Sequence, residues 1–306
     1  METKEEKSNR LKDSLKCTQE DLNRVSETTA IYSQNYGLII KEDNYFVTVD
    51  LSKHSKIQEI LFEADIIDID GYAFKDCKSI THIELPQTVK HIGDYAFSKC
   101  KNLETIEIPD NVKTIGSHAF EFCSKLQTII IPDKVKEIGN MTFYECTSLE
   151  SITEFHNVRE IGEEAFTNCN SLQNIILPDT LRIIGERAFE SCNSLQTIEI
   201  PDSVFFIKYG AFADCSNLRN VSLSDNIAEI EMCTFKNCAS LEAIRIPDSV
   251  DTIYYGAFEN CESLTNVVFN ENIDEISEGA FIDCPNLNME NIEQQYKKQN
   301  GIENNR

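Results

Sequence analysis

Residues Phe97 to Phe120 read FSKCKNLETIEIPDNVKTIGSHAF. The two phenylalanines that bound this stretch stand 23 residues apart, and the interval recurs at Phe74, Phe97, Phe120, Phe143, Phe166, Phe189, Phe212, Phe235, Phe258 and Phe281. A fixed period in the twenties, kept through ten copies without insertion or deletion, marks a solenoid in which each repeat is one rung stacked on the last. Three residues after each phenylalanine stands a cysteine, from Cys77 and Cys100 through to Cys284, and three further on a leucine such as Leu103, with Ile80 the one departure. The spacing of three and three predicts one face of a tight helical turn.

The next segment, LETIEIP, places Ile106 and Ile108 two apart and so on one face of a strand, with Thr105 and Glu107 on the other. Pro109 ends that strand, because proline cannot donate to a ladder. Val112 and Ile115 continue the inward column on the return leg. Glycine then turns the chain, four residues before the phenylalanine in early rungs (Gly93, Gly116, Gly139, Gly162, Gly185) and two before it in late ones (Gly210, Gly256, Gly279). Stacked at about 4.8 Å, equal rungs hide like residues on like, giving ladders of Phe, Cys, Leu, Ile and Val as the core and a body about 50 Å long.

Leu-x-x-Ile-x-Ile-Pro, then Val-x-x-Ile-Gly, then Ala-Phe-x-x-Cys resembles the BspA-type leucine-rich repeat, over residues from about 51 to 289. The resemblance implies an α/β solenoid: a right-handed superhelix with a parallel β-sheet on its concave face and short turns or helical turns on the other side. It also implies non-enzymatic binding. Known members include surface proteins of bacteria and parasitic protists, so adhesion to host or matrix proteins is the usual suggestion for the family.

Composition narrows the partners. The chain of 306 residues has 28 basic and 52 acidic residues, a net charge of −24, and residues 51–288 hold 18 of the basic and 39 of the acidic ones. Nucleic acid and anionic membrane need a basic footprint and are poor partners, while basic or neutral partners remain open. The bland alternative is that the acidity confers solubility. Ten of the twelve cysteines are one repeated inward position. Neighbouring rungs are close enough for a disulfide, yet nothing selects pairs, and a reduced ladder of small buried hydrophobes is the simpler account. No Cys-x-x-Cys pairs converge, so zinc is not expected.

Four segments follow. Residues 1–30 are a polar tail, disordered or weakly helical, with Leu11, Leu15, Leu22 and Val25 as an imperfect heptad seam. They lack an apolar run long enough for a signal peptide. With the reduced cysteines this predicts a cytoplasmic protein; the alternative is a cell surface reached by a non-classical route. Residues 31–62 form a hairpin cap and a degenerate first rung, with Leu51 on the Phe column and His54 on the Cys column. Residues 63–288 are the solenoid. Residues 289–306 are a C-terminal cap or tail, in which Met289, Ile292 and Tyr296 could cover the last rung. A monomer is expected.

Function must come from outward columns. On the expected concave sheet these include Glu84, Thr105, Glu107, Ile130, Asn174, Ile176, Thr197, Glu199, Arg245 and Val268, apolar anchors among polar groups. Isoleucine is also tolerated on an exposed strand for its sheet propensity alone. A second candidate is a turn stripe of Tyr209, Met232 and Tyr255 flanked by Phe205, Phe206 and Tyr254, readable as a partner hot spot or as local turn packing. The five histidines fall on five different register positions, and no phosphate loop or nucleophile elbow occurs, so no catalytic residue and no cofactor is assigned. The leading expectation is a non-enzymatic protein-interaction scaffold, and the alternative is a surface or secreted adhesin or antigen.

Overall fold

Equal repeats of 23 residues stack in register because any slip would move a whole column of apolar side chains off its partner. Each regular rung supplies a three-residue strand, such as Thr105–Glu107, whose side chains alternate exposed, buried, exposed. A two-residue strand follows, such as Thr114–Ile115, and a run of turns over 117–122 closes the coil. The computed structural model describes residues 3–26, 29–33, 35, 37–42, 45–49, 57–64, 66–153, 155–269, 272–290 and 292.

Pairing between rungs is parallel at an offset of 23, as in Ile83↔Ile106 and Ile129↔Ile152. Two sides of the coil therefore carry ladders, where one sheet was expected. The two-residue strands form sheets of three, four and three strands, while the three-residue strands pair in twos. The return leg of Val112 and Ile115 is thus a sheet of its own.

The core is the stack of like on like. The rings from Phe74 to Phe281 lie parallel within 17°, with centroids 5.1 to 5.7 Å apart. All ten are buried. Next to them the cysteines are buried free thiols, and Cys100 Sγ donates to the Phe74 carbonyl of the rung before at 3.0 Å. The same bond recurs at each later rung, through Cys192 to Phe166 (3.2 Å) and on to Cys284.

The Phe-x-x-Cys-x-x-Leu segment is not the helical turn its spacing predicted. Tyr95 and Lys99, two residues before and after Phe97, have φ of 57° and 63°, and this left-handed pair recurs along the chain. Each such residue swings the backbone so that alternate N–H groups leave the rung. Phe97 N–H donates to Ala119 O (2.8 Å) and Lys99 N–H to Glu121 O (2.7 Å) of the next rung, while Cys100 N–H bonds within its own rung to Phe97 O (3.1 Å). The turn side is thereby a hydrogen-bonded ladder as well.

Within the residues expected to be a disordered or weakly helical tail stand two capped helices, α1 (Lys4–Ser14) and α2 (Gln19–Arg24). Thr3 with Glu6, and Thr18 with Asp21, close capping boxes that satisfy the first orphan N–H groups. Leu11, Leu15, Leu22 and Val25 then bury against Ile31 and Ile39 in a second small core. Those isoleucines lie on β1 (Thr29–Ser33) and β2 (Gly37–Glu42), which pair antiparallel; β3 (Tyr45–Val49) extends the sheet from β2. On its other edge β1 pairs parallel with β4 (Glu59–Phe62). Tyr32 links this cap to the first rung: its hydroxyl donates to Asp70 Oδ2 and accepts from Asp70 N–H, both at 2.9 Å. Leu51 and His54 lie outside the described residues, as does Tyr296. At the far end Ile292 is buried, Met289 is exposed, and Phe269 stands edge-on to Phe281.

Candidate functional site

The inward columns are filled by the core, so binding chemistry is confined to the outward ones. Every nominated residue of the outward columns is exposed: Glu84, Thr105, Glu107, Ile130, Asn174, Ile176, Thr197, Glu199, Arg245 and Val268. The structure brings five of them together. Asn174, Ile176, Thr197, Glu199 and Arg245 line one groove of about 930 Å³ that crosses four rungs. Glu84, Thr105, Glu107, Ile130 and Val268 lie on the same columns beyond it. Asn174–Ile176 belongs to none of the strand pairs, whereas Thr197–Glu199 pairs with Asn220–Ser222 inside the groove.

Sequence reasoning missed the groove's rim. Asp179, Asp202 and Asp225 line it too, from the turn after each strand, with Ser203 and Ser222 between them. Asp202 Oδ1 accepts the Asp225 N–H at 2.9 Å, which ties two rungs together. Aspartate recurs at this register position from Asp110 to Asp248, with His156 the one departure, a column that was legible by the same 23-residue count.

A model of the BspA type leucine rich repeat region matches six copies over residues 51–171, 136–233 and 183–301. The chain belongs to the BspA-type leucine-rich repeat family. The solenoid is similar to a leucine-rich cell surface protein from Faecalibacterium prausnitzii, at 24% identity over 86% of this chain and 87% of that one, with a TM-score of 0.39. It is also similar to a leucine-rich repeat protein from Bacteroides ovatus (24% identity, 87% and 86% covered, TM-score 0.44) and to one from Eubacterium ventriosum (18%, 76% and 84%, 0.41). A comparison with curated proteins found no match.

The second candidate surface of this BspA-type protein is already partly engaged. Arg182 lies over the Phe205 ring at 5.7 Å, Lys208 over Phe206 at 4.8 Å, and Arg187 over Tyr209 at 5.4 Å. Phe205, Phe206, Met232 and Tyr255 remain about half exposed. Tyr255 packs against Gly279, where a Cβ would come within 2.7 Å of its ring. Tyr254 is held above the usual phenol range by the charge of Glu229 and a hydrogen bond to it. Cations and close packing thus occupy much of the stripe.

Two further columns of the BspA-type rungs were not singled out from sequence. Two residues before the phenylalanine, Tyr72, Tyr95 and His118 stack at 4.8 and 4.3 Å. His118 Nδ1 meets Glu121 Oε2 at 2.6 Å, and Glu121 accepts from the buried Ser98 hydroxyl at 2.8 Å. The carboxylate therefore sits between serine and histidine, an order in which the imidazole cannot take the serine proton. Seven before the phenylalanine, Lys90, Lys113, Lys136, Arg159 and Arg182 form an exposed basic stripe beside the two-residue strands. Among the described residues no cluster of three His, Cys, Asp or Glu side chains could hold a metal ion, and no helix is long and apolar enough to cross a membrane.

Proposed function

We propose that the chain is a non-enzymatic scaffold that binds a protein or peptide partner through the outward face of its three-residue strands. The observation that carries this reading is the groove across four rungs, which gathers hydrogen-bonding groups around a nearly bare isoleucine, with the paired strands of Thr197–Glu199 and Asn220–Ser222 beside it. A site-specific photo-crosslinker tests it. Placed at Thr197 or Asn220, on this face, it should capture a partner in the native cell, whereas at Glu160, beside the basic stripe, it should not. Capture from Glu160 alone would move the binding surface elsewhere.

Family membership supports a second reading, an adhesin or antigen at the cell surface. The scaffold reading places the chain in a reducing compartment, in keeping with its free buried thiols. Biotinylation of intact cells separates the two: a surface protein is labelled and a cytoplasmic one is not. Either way the surface charge disfavours nucleic acid and anionic membrane, and no cofactor enters the reading.

A further inference from the structure

The groove holds a charge imbalance. Asp179, Glu199, Asp202 and Asp225 line it with one guanidinium, that of Arg245, while Arg182 from outside the lining donates to the Ser203 carbonyl at 2.9 Å. Arg245 reaches toward Asp248 outside the groove, at 4.0 Å. None of the ion pairs among the described residues involves the four carboxylates. Inside this rim Ile176 is 88% exposed, more than any other large apolar side chain described. Beyond the groove the imbalance continues, since no lysine or arginine occurs between Ile246 and Asn288. A cation that reaches several carboxylates at once is favoured over one that meets a single carboxylate.

We propose that this groove takes an extended, lysine- or arginine-bearing segment of a partner protein, whose aliphatic stems rest on Ile176 while its cationic ends reach the carboxylate rim. The proposal rests on the strand face being the interaction surface and adds the chemistry of its occupant. Lysine and arginine are suited to both halves of the site, because their stems cover apolar surface while the charge stays in water. Complementary charge on a protein of net −24 also speeds the encounter.

A labelled flexible peptide with lysines on either side of one leucine is the probe, and its glutamate counterpart the control, read by fluorescence anisotropy with the full chain. The lysine peptide should bind and the glutamate peptide should not. Neutralising the rim with Asp179→Asn, Glu199→Gln and Asp225→Asn should weaken binding about tenfold. Neutralising Glu137, Glu160 and Glu163 on the far side changes the net charge equally and should cost much less. Ile176→Ser should also weaken binding, with the fold unchanged by circular dichroism. Equal losses from the two triple variants would reduce the effect to bulk charge and overturn the proposal, as would unaltered binding by both the rim variant and Ile176→Ser. Those results would leave the crosslinking from Thr197 and Asn220 standing, so failure of the occupant is separable from failure of the face.

Discussion

Each phenylalanine from Phe97 to Phe258 is buried between its copies above and below, so the cost of losing one is a cavity as well as lost burial. Phe166→Ala should destabilise the solenoid by about 3–5 kcal/mol, whereas Ile176→Ser, at a side chain already in water, should change stability by about 0.5 kcal/mol or less. Urea denaturation of the two variants checks the contrast. Glycine at the two turn positions answers two different needs. A Cβ at Gly162 would lie 2.8 Å from the backbone of Asn140 and 2.9 Å from that of Gly139, so Gly162→Ala must push rungs apart. Gly210 has φ of 60° but nothing nearer than 3.4 Å, so Gly210→Ala should cost only about 1 kcal/mol of backbone strain. The same comparison of denaturation midpoints ranks them, and a larger loss at Gly210 would contradict the packing argument. The core columns were legible because spacing alone assigns a side chain to a face. The left-handed residues were half legible: glycine at 210 showed them, and so did the run Asn168, Asp214, Asn237, Asn260, Asp283 two residues after the phenylalanine, which tolerates that conformation. The thiol-to-carbonyl bonds were not legible, because they depend on the path of the previous rung's backbone.

Strands, turns and caps differ in how much of their structure is local. The three-residue strands follow from their alternation, and proline marks their ends. The second ladder escaped notice because two residues are too few to show a period. The turn was misread as helical because a helix and a chain of left-handed and right-handed turns can both repeat side chains at three. In the N-terminal helices the signal is local: Thr3-Lys-Glu-Glu6 and Thr18-Gln-Glu-Asp21 are capping sequences ahead of the apolar seam. Those helices are short, so their stability must come from docking rather than propensity. Replacing Leu11 and Leu22 with serine should free them from Ile31 and Ile39, and trypsin should then cut at Lys12 and Arg24 faster while the rungs stay protected. If the rungs are digested equally fast, the cap and the solenoid form one cooperative unit. Thr18→Ala, which removes only a cap, should cost about 1 kcal/mol and show in the same assay as a smaller increase.

From Cys77 to Cys284 the rungs stack one thiol on the next, and that column sets the response to alkali. Burial raises the thiols of Cys123, Cys169, Cys192 and Cys238 well above their ordinary 9.0 and pushes Cys215 up to about 12. Unfolding returns each of them to water, where it ionises near 9. Between about pH 9 and 12 the unfolded chain therefore binds fewer protons than the folded one, and stability falls as pH rises. The contribution is complete below 9 and is lost as pH climbs through the folded values. The column is long, so the slope should be steep, and urea midpoints under reducing conditions should drop markedly between about pH 8 and about pH 10.5. Replacing Cys192 and Cys215 with alanine should flatten that slope while lowering stability at pH 8, two changes of opposite sense that a general alkaline effect could not produce together. Thiol labelling of the native protein supplies the second arm. Only Cys17 and Cys233 are partly exposed, and burial, with Glu63 and Asp21 beside it, pushes Cys17 up to about 11. At about pH 8 Cys17 should thus react slowly, speeding up toward pH 11, while the ten ladder thiols wait for denaturant. Rapid labelling of many thiols in the native state would mean that the rungs open in solution, and the alkaline slope would then report that opening rather than buried protons.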